Sequence, residues 1–276
     1  MRIAICSMLV LASCAPAQVK MPDNIVIEKN VPYGTHPKQV LDITRPADVG
    51  GRLRPAVFFI HGGGWTGMSK DEVVATHIRR YVERGFIAVN VEYRVAKDAL
   101  APAAVQDVRA AARWMLANAA RLGIDTKRIV VSGNSAGGHL AMMSVLPMDE
   151  AKYGIGLRPA AIVNIYGIMD VGDLLDGPHQ RNYALAWMKG LEKTGLPAEL
   201  SPLQHLQSGL PPVLTVHGDA DESVPYAHAL RITEGLKKFG VRAELITVPG
   251  GKHGFPPEKW EELYPQIFVF VESALK

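Results

Sequence analysis

The chain has 276 residues, 48% hydrophobic and 21% charged, enough to build one large core. Its net charge of +3 is spread out without a basic run, which gives no footprint for nucleic acid. The two cysteines, Cys6 and Cys14, both fall near the N-terminus, so no structural disulfide is expected.

Met1 and Arg2 precede an apolar run from Ile3 to Ala12, interrupted only at Cys6 and Ser7. A charged start and a short apolar middle have the form of a secretory signal, too short to span a bilayer as a mature helix. Residues 1–17 therefore read as a signal region with two competing cleavage sites. Leu11-Ala12-Ser13-Cys14 resembles a bacterial lipobox, which would leave a lipidated Cys14 at the mature N-terminus. Ala15-Pro16-Ala17 resembles a small-x-small site, which would release a soluble protein. The lipobox is preferred, because all four of its positions match and a proline inside the other site is awkward. Both imply export, to the periplasmic face of a membrane or to the periplasm and beyond.

Residues 18–276 read as one domain. Stretches 24–28 and 39–44 are β-rich and flank turn material, which suggests an antiparallel pair at a sheet edge. From 56–60 onward the alternation gives way to near-continuous apolar runs at 86–91, 128–131, 160–165, 212–216 and 243–248, as in parallel strands covered on both faces. Helical patterns lie between them. Ser69-Lys70-Asp71-Glu72 reads as a capping box opening a helix to Arg84, and Pro102 and Pro225 suit the first turns of helices to about Ala119 and Phe239. Residues 258–275 read as a last helix, with a kink or restart at Pro265. The alternation predicts an α/β fold, a mostly parallel doubly wound sheet of about eight strands with helices on both faces.

In such sheets the working groups follow the carboxyl ends of the strands. Four loops there carry candidate chemistry. His61-Gly62-Gly63-Gly64-Trp65 brings backbone amides to a ligand without side chains in the way; Gly63 and Gly64 are candidate oxyanion donors, with His61 bracing the loop. Neither dinucleotide spacing nor a P-loop Lys-Ser/Thr is present. Gly133-Asn134-Ser135-Ala136-Gly137 reads as a strand, a sharp turn and a helix with Ser135 as nucleophile and the Ala136 amide as a third donor. His217 to Pro225 offers Asp219, Asp221 and Glu222, one of which should orient a catalytic imidazolium, while Asp219 and Glu222 also suit solvent or the next helix N-terminus. Gly250 to Phe255 holds His253, the only histidine beyond the last strand. His139 reads as packing.

The motifs HGGGW at 61–65, GNSAGG at 133–138, HGDADESVP at 217–225 and GGKHGF at 250–255 resemble the esterase/lipase group of α/β-hydrolases, including hormone-sensitive-lipase-like enzymes. They are more similar to its small, exported feruloyl and acetyl-xylan esterase-like (BD-FAE-like) branch. The resemblance spans roughly residues 30–275. It implies an α/β-hydrolase fold with Ser135 as nucleophile, Asp221 as triad acid and His253 as general base, hydrolysing short-chain acyl or feruloyl esters, small or linked to polysaccharide. Two departures bear on substrate: Asn134 stands where hormone-sensitive-lipase-like proteins have Asp, and the stretch before His61 is too short for their helical cap.

The long connection from Gly167 to Leu210 is expected to form a small lid-like insertion, about 168–210, over Ser135. Trp65, Tyr166, Trp187 and Met188 are candidate pocket walls, with core packing as the other reading. No cofactor is expected, and no residues have metal-ligand spacing. A peptidase or arylformamidase-like amide hydrolase and a non-catalytic binding protein on the same scaffold are the competing readings; the first lacks room for the usual extra domain, the second sits poorly with export, and the third usually loses a triad member.

Overall fold

The computed structural model describes residues 21, 24–47 and 51–276. The signal region and Cys14 lie outside these residues. Eight strands form one sheet in the order β1-β2-β4-β3-β5-β6-β7-β8. They are β1 (Ile25–Pro32), β2 (Val40–Pro46), β3 (Arg54–Ile60), β4 (Ile87–Val91), β5 (Ile124–Asn134), β6 (Ala161–Ile165), β7 (Val213–Gly218) and β8 (Ala243–Val248). β1 pairs antiparallel with β2 and β2 with β4, and every later pairing is parallel. The expected antiparallel edge and parallel centre are both present.

The continuous apolar runs follow from two-sided burial. Along β3, Phe58 and Ile60 join one core layer while Val57 and Phe59 join the other. The first layer packs beneath helices Ala103–Ala117, Ala136–Met143 and Ala227–Lys238; the second packs beneath Arg79–Glu83 and Pro257–Ala274. All residues of β4, β6 and β7 are buried, so any alternation of polarity there would put polar groups into a core.

Two helical expectations are corrected. The stretch after Ser69 is not one α-helix: Lys70–Val73 is 3-10, Val74–Ile78 has π geometry, and only Arg79–Glu83 is α. β-Branched Val73, Val74, Thr76 and Ile78 weaken the α preference, and the inward contacts of Val73, His77 and Ile78 decide the path. Ser69 caps no amide; its Oγ lies 3.5 Å from the Glu72 carboxylate. The last helix runs from Pro257 to Ala274 through Pro265 without a restart. Trp260, Tyr264, Ile267 and Phe268 bury both halves against the sheet, which offsets the hydrogen bond lost at the proline.

The 168–210 insertion consists of short pieces, chiefly the helices Asn182–Trp187 and Leu196–Glu199. Among the described residues no helix is long and apolar enough to cross a membrane.

Candidate active site

Ser135 sits between the end of β5 and the helix beginning at Ala136, at φ 56° and ψ −123°. L-residues avoid this conformation, and neighbouring structure holds it. The Ser135 amide donates to Ile165 O at 2.8 Å, tying the turn to β6. Gly133 and Gly137 make the turn sterically possible: a Cβ on Gly133 would overlap Gly137 O, and one on Gly137 would overlap Ile60 O.

The loops after β7 and β8 bring their side chains to this serine. His253 Nε2 lies 2.9 Å from Ser135 Oγ, and His253 Nδ1 lies 2.7 Å from Asp221 Oδ2. Asp221 Oδ1 accepts from the amides of Ser223 (2.8 Å) and Val224 (2.9 Å), while Oδ2 also faces His217 Nε2 at 3.2 Å. Burial pushes the Asp221 carboxyl up, but hydrogen bonds from His217, His253 and the Val224 amide outweigh it and hold the group well below the usual carboxylate range. An ionised acceptor on Nδ1 leaves Nε2 free to take a proton from Oγ.

Asp219 does different work. Its Oδ1 accepts from the Gly250 amide, pinning the loop that carries His253. Glu222 is exposed and offers only its backbone oxygen, to Arg181. Of the three carboxylates, only Asp221 reaches the histidine.

The glycine loop lies directly against the serine: a Cβ on Gly62 would touch Asn134 and the Ser135 Cβ. Gly63 and Gly64 both have positive φ, 102° and 57°, which turns the chain without side chains over the site. Among the described residues the amides of Gly63, Gly64 and Ala136 have no protein acceptor. Ala136 also opens a helix, so its amide is one of that helix's unpaired donors.

His61 braces this loop, as expected. Its Nδ1 donates to Gly62 O at 2.8 Å, its ring stacks on Tyr93 at 4.3 Å, and burial pushes its pKa down to about 4. The Tyr93 hydroxyl donates to the carbonyls of His61 and Gly62. His139 is a packing residue with a fixed tautomer. Trp65 Nε1 donates to its Nδ1 (3.2 Å), so Nε2 carries the proton given to Leu200 O (2.7 Å), and burial keeps the ring neutral, with its pKa down to about 4.

The pocket-wall expectation divides. Tyr166 borders the site, with its ring 4.8 Å from that of His253. Trp65, Trp187 and Met188 expose nothing and belong to the core. Trp187 stacks on Trp65 at 4.2 Å, and both serve to clamp the insertion to the glycine loop. Tyr183 lies over Gly64 and donates to Ser223 O. Sequence reasoning missed two residues, Tyr93 and His217. Neither carries a local pattern that separates this role from packing.

Among the described residues no cluster of His, Cys, Asp and Glu has the form of a metal site. What the arrangement can do is move a proton from Oγ to an imidazole while unpaired amides await a negative charge.

The BD-FAE family model matches residues 41–236. Esterase LipC of Mycobacterium tuberculosis (strain ATCC 25618 / H37Rv) is 29% identical over 243 residues, covering 83% of this chain and 60% of LipC. Carboxylesterase NlhH of the same organism is 34% identical over 221 residues, covering 73% of this chain and 66% of NlhH. The chain thus spans about three-fifths of the length of these curated relatives. A solved truncated form of a carbohydrate esterase from gut microbiota superposes with a TM-score of 0.80 at 25% identity, covering 94% of this chain and 99% of that one.

Proposed function

The chain belongs to the BD-FAE family, with the α/β-hydrolase fold, and we propose that it is a carboxylic ester hydrolase working through Ser135, His253 and Asp221. The observation that carries this reading is the continuous relay from Ser135 Oγ through His253 to Asp221, at 2.9 and 2.7 Å, beneath three unpaired amides.

A serine hydroxyl is a weak nucleophile until a base takes its proton. As Oγ attacks the acyl carbonyl, His253 Nε2 accepts that proton, and Asp221 stabilises the imidazolium through Nδ1–H. The carbonyl oxygen becomes an anion, held by the amides of Gly63, Gly64 and Ala136, where each donor is worth about a hundredfold or more in rate. The tetrahedral carbon expels the alcohol, whose oxygen takes the proton from Nε2. Water then gives a proton to the same nitrogen as it attacks the acyl-serine, and the second tetrahedral carbon expels Ser135 Oγ, which takes that proton back as the acid leaves.

The substrates that fit are short-chain acyl or feruloyl esters, small or attached to polysaccharide. The carbohydrate-esterase likeness and the small insertion support this range. Hydrolysis of p-nitrophenyl esters from acetyl to dodecanoyl, with methyl ferulate and acetylated xylan alongside, tests it. Activity on the short or feruloyl esters that Ser135→Ala abolishes is the expected result; activity surviving that substitution would sink the mechanism.

The lipobox-like Leu11-Ala12-Ser13-Cys14 supports export with a lipid anchor on Cys14. Detergent-phase partitioning of the full chain that is lost in Cys14→Ser is the expected outcome, and equal partitioning of both proteins would remove the anchor.

A further inference from the structure

A cleft of about 180 Å³ opens beside the serine and histidine, between Asn134 on one side and Gly254 and Phe255 on the other. Tyr166, Trp260 and His77 complete its inner wall. Asn134 directly precedes Ser135, Gly254 directly follows His253, and the Tyr166 ring touches that of His253. The departing oxygen of an ester must face His253 Nε2 to be protonated, so a cleft on this side receives what that oxygen carries.

His77 is 3% exposed and lies within the π turn Val74–Ile78, a geometry often found at functional sites. Its ring is held between Phe59 (4.9 Å) and Trp260 (4.8 Å), and its Nδ1 lies 2.7 Å from the Tyr264 hydroxyl. Nε2 has no hydrogen-bond partner among the described residues, and the ring lines the cleft. Burial pushes the His77 pKa down to about 3, so the ring offers a neutral group. Tyr264 O–H can donate to Nδ1 or accept from it, and Nε2 becomes donor or acceptor accordingly. The ligand group that serves both roles is a hydroxyl, and the aromatic walls suit its carbon skeleton. The volume is below the roughly 300 Å³ of a drug-sized site, which limits the occupant to a small segment.

We propose that this cleft is the subsite for the alcohol half of the ester, and that His77 Nε2 hydrogen-bonds a second hydroxyl carried by that alcohol. The proposal rests on the ester-hydrolase reading of Ser135 and His253. Glycerol monoacetate and propyl acetate, compared by kcat/KM on the full chain, separate the two. His77→Phe keeps a ring between Phe59 and Trp260 and removes the nitrogen; the preference for the glycerol ester is expected to fall about fivefold, the worth of one neutral hydrogen bond. Thr76→Phe, at the half-buried rim, tests the cleft even where His77→Phe does not fold, and should slow both esters relative to methyl acetate. An unchanged glycerol-to-propyl ratio in His77→Phe overturns the role of His77. A change of acyl preference, acetate against butyrate on one alcohol, in either variant overturns the assignment to the alcohol half. Wild-type protein inert toward these esters and toward p-nitrophenyl acetate would instead overturn the ester-hydrolase reading, and this subsite with it.

Discussion

His217 Nε2 lies 3.2 Å from Asp221 Oδ2, the oxygen that also receives His253 Nδ1. Val224 O accepts from the same Nε2 at 3.1 Å, so two acceptors fix the proton there. The buried carboxylate is thereby held from two sides. His217→Phe should cost about 2 kcal/mol at neutral pH, in the range for a hydrogen bond to a charged group. The sign follows from the depressed Asp221 pKa. Its stabilising contribution is complete above the unfolded carboxylate value of about 3.9 and drains away as pH falls through the lower folded value. The gap in stability between wild type and variant should therefore be widest above about pH 4 and close below it, as measured by denaturant unfolding across pH.

Asp221→Asn should lower kcat about ten-thousandfold, the scale seen when a triad acid is lost with its geometry intact. Asp219→Asn keeps an acceptor for the Gly250 amide and should retain most activity. Steady-state kinetics on p-nitrophenyl acetate reads both. The reverse order would make Asp219 the triad acid.

Ser135→Gly should be inactive and more stable. A left-handed, non-glycine conformation costs about 1–3 kcal/mol, and glycine gives back about 0.5–1 through the unfolded chain, for a net gain near 1 kcal/mol. Thermal unfolding of the two proteins checks this; a lower Tm in the variant would mean the turn is unstrained.

Trp65→Phe and Trp187→Phe remove the same atoms from two stacked, fully buried rings, but their costs should differ. The first strands His139 Nδ1 without a donor, a penalty of about 1–3 kcal/mol. The second deletes an indole N–H that has no partner among the described residues, so Trp187→Phe should be the milder change by at least about 1 kcal/mol. Chemical denaturation of both variants decides the order.

The sheet was legible because strands such as Phe58–Phe59–Ile60 are apolar on both faces, and two-sided burial leaves a continuous run in sequence. The serine, its histidine and the glycine loop were legible because their backbone demands restrict residue type: Gly133 and Gly137 tolerate no side chain. His217 was not, since a histidine at a strand end reads the same whether it packs or holds a carboxylate. The difference lies in where Val224 O and Asp221 fall in space. Trp65 and Trp187 read as pocket walls from their positions near strand ends and the insertion; that they stack on each other is a contact between residues 122 apart, which no local pattern encodes. The π turn at Val74–Ile78 likewise follows from inward packing and not from its own propensity.

The insertion is not a module. Tyr183 rests on Gly64, Trp187 on Trp65, and Leu200 O holds His139 just inside the helix that follows Ser135. An engineer who grafted a relative's 168–210 segment to change substrate range would also remove three supports of the glycine loop and the turn beside it. Such a chimaera would lose turnover before it gained a new preference, unless residues 65 and 139 were transplanted along with the segment they grip.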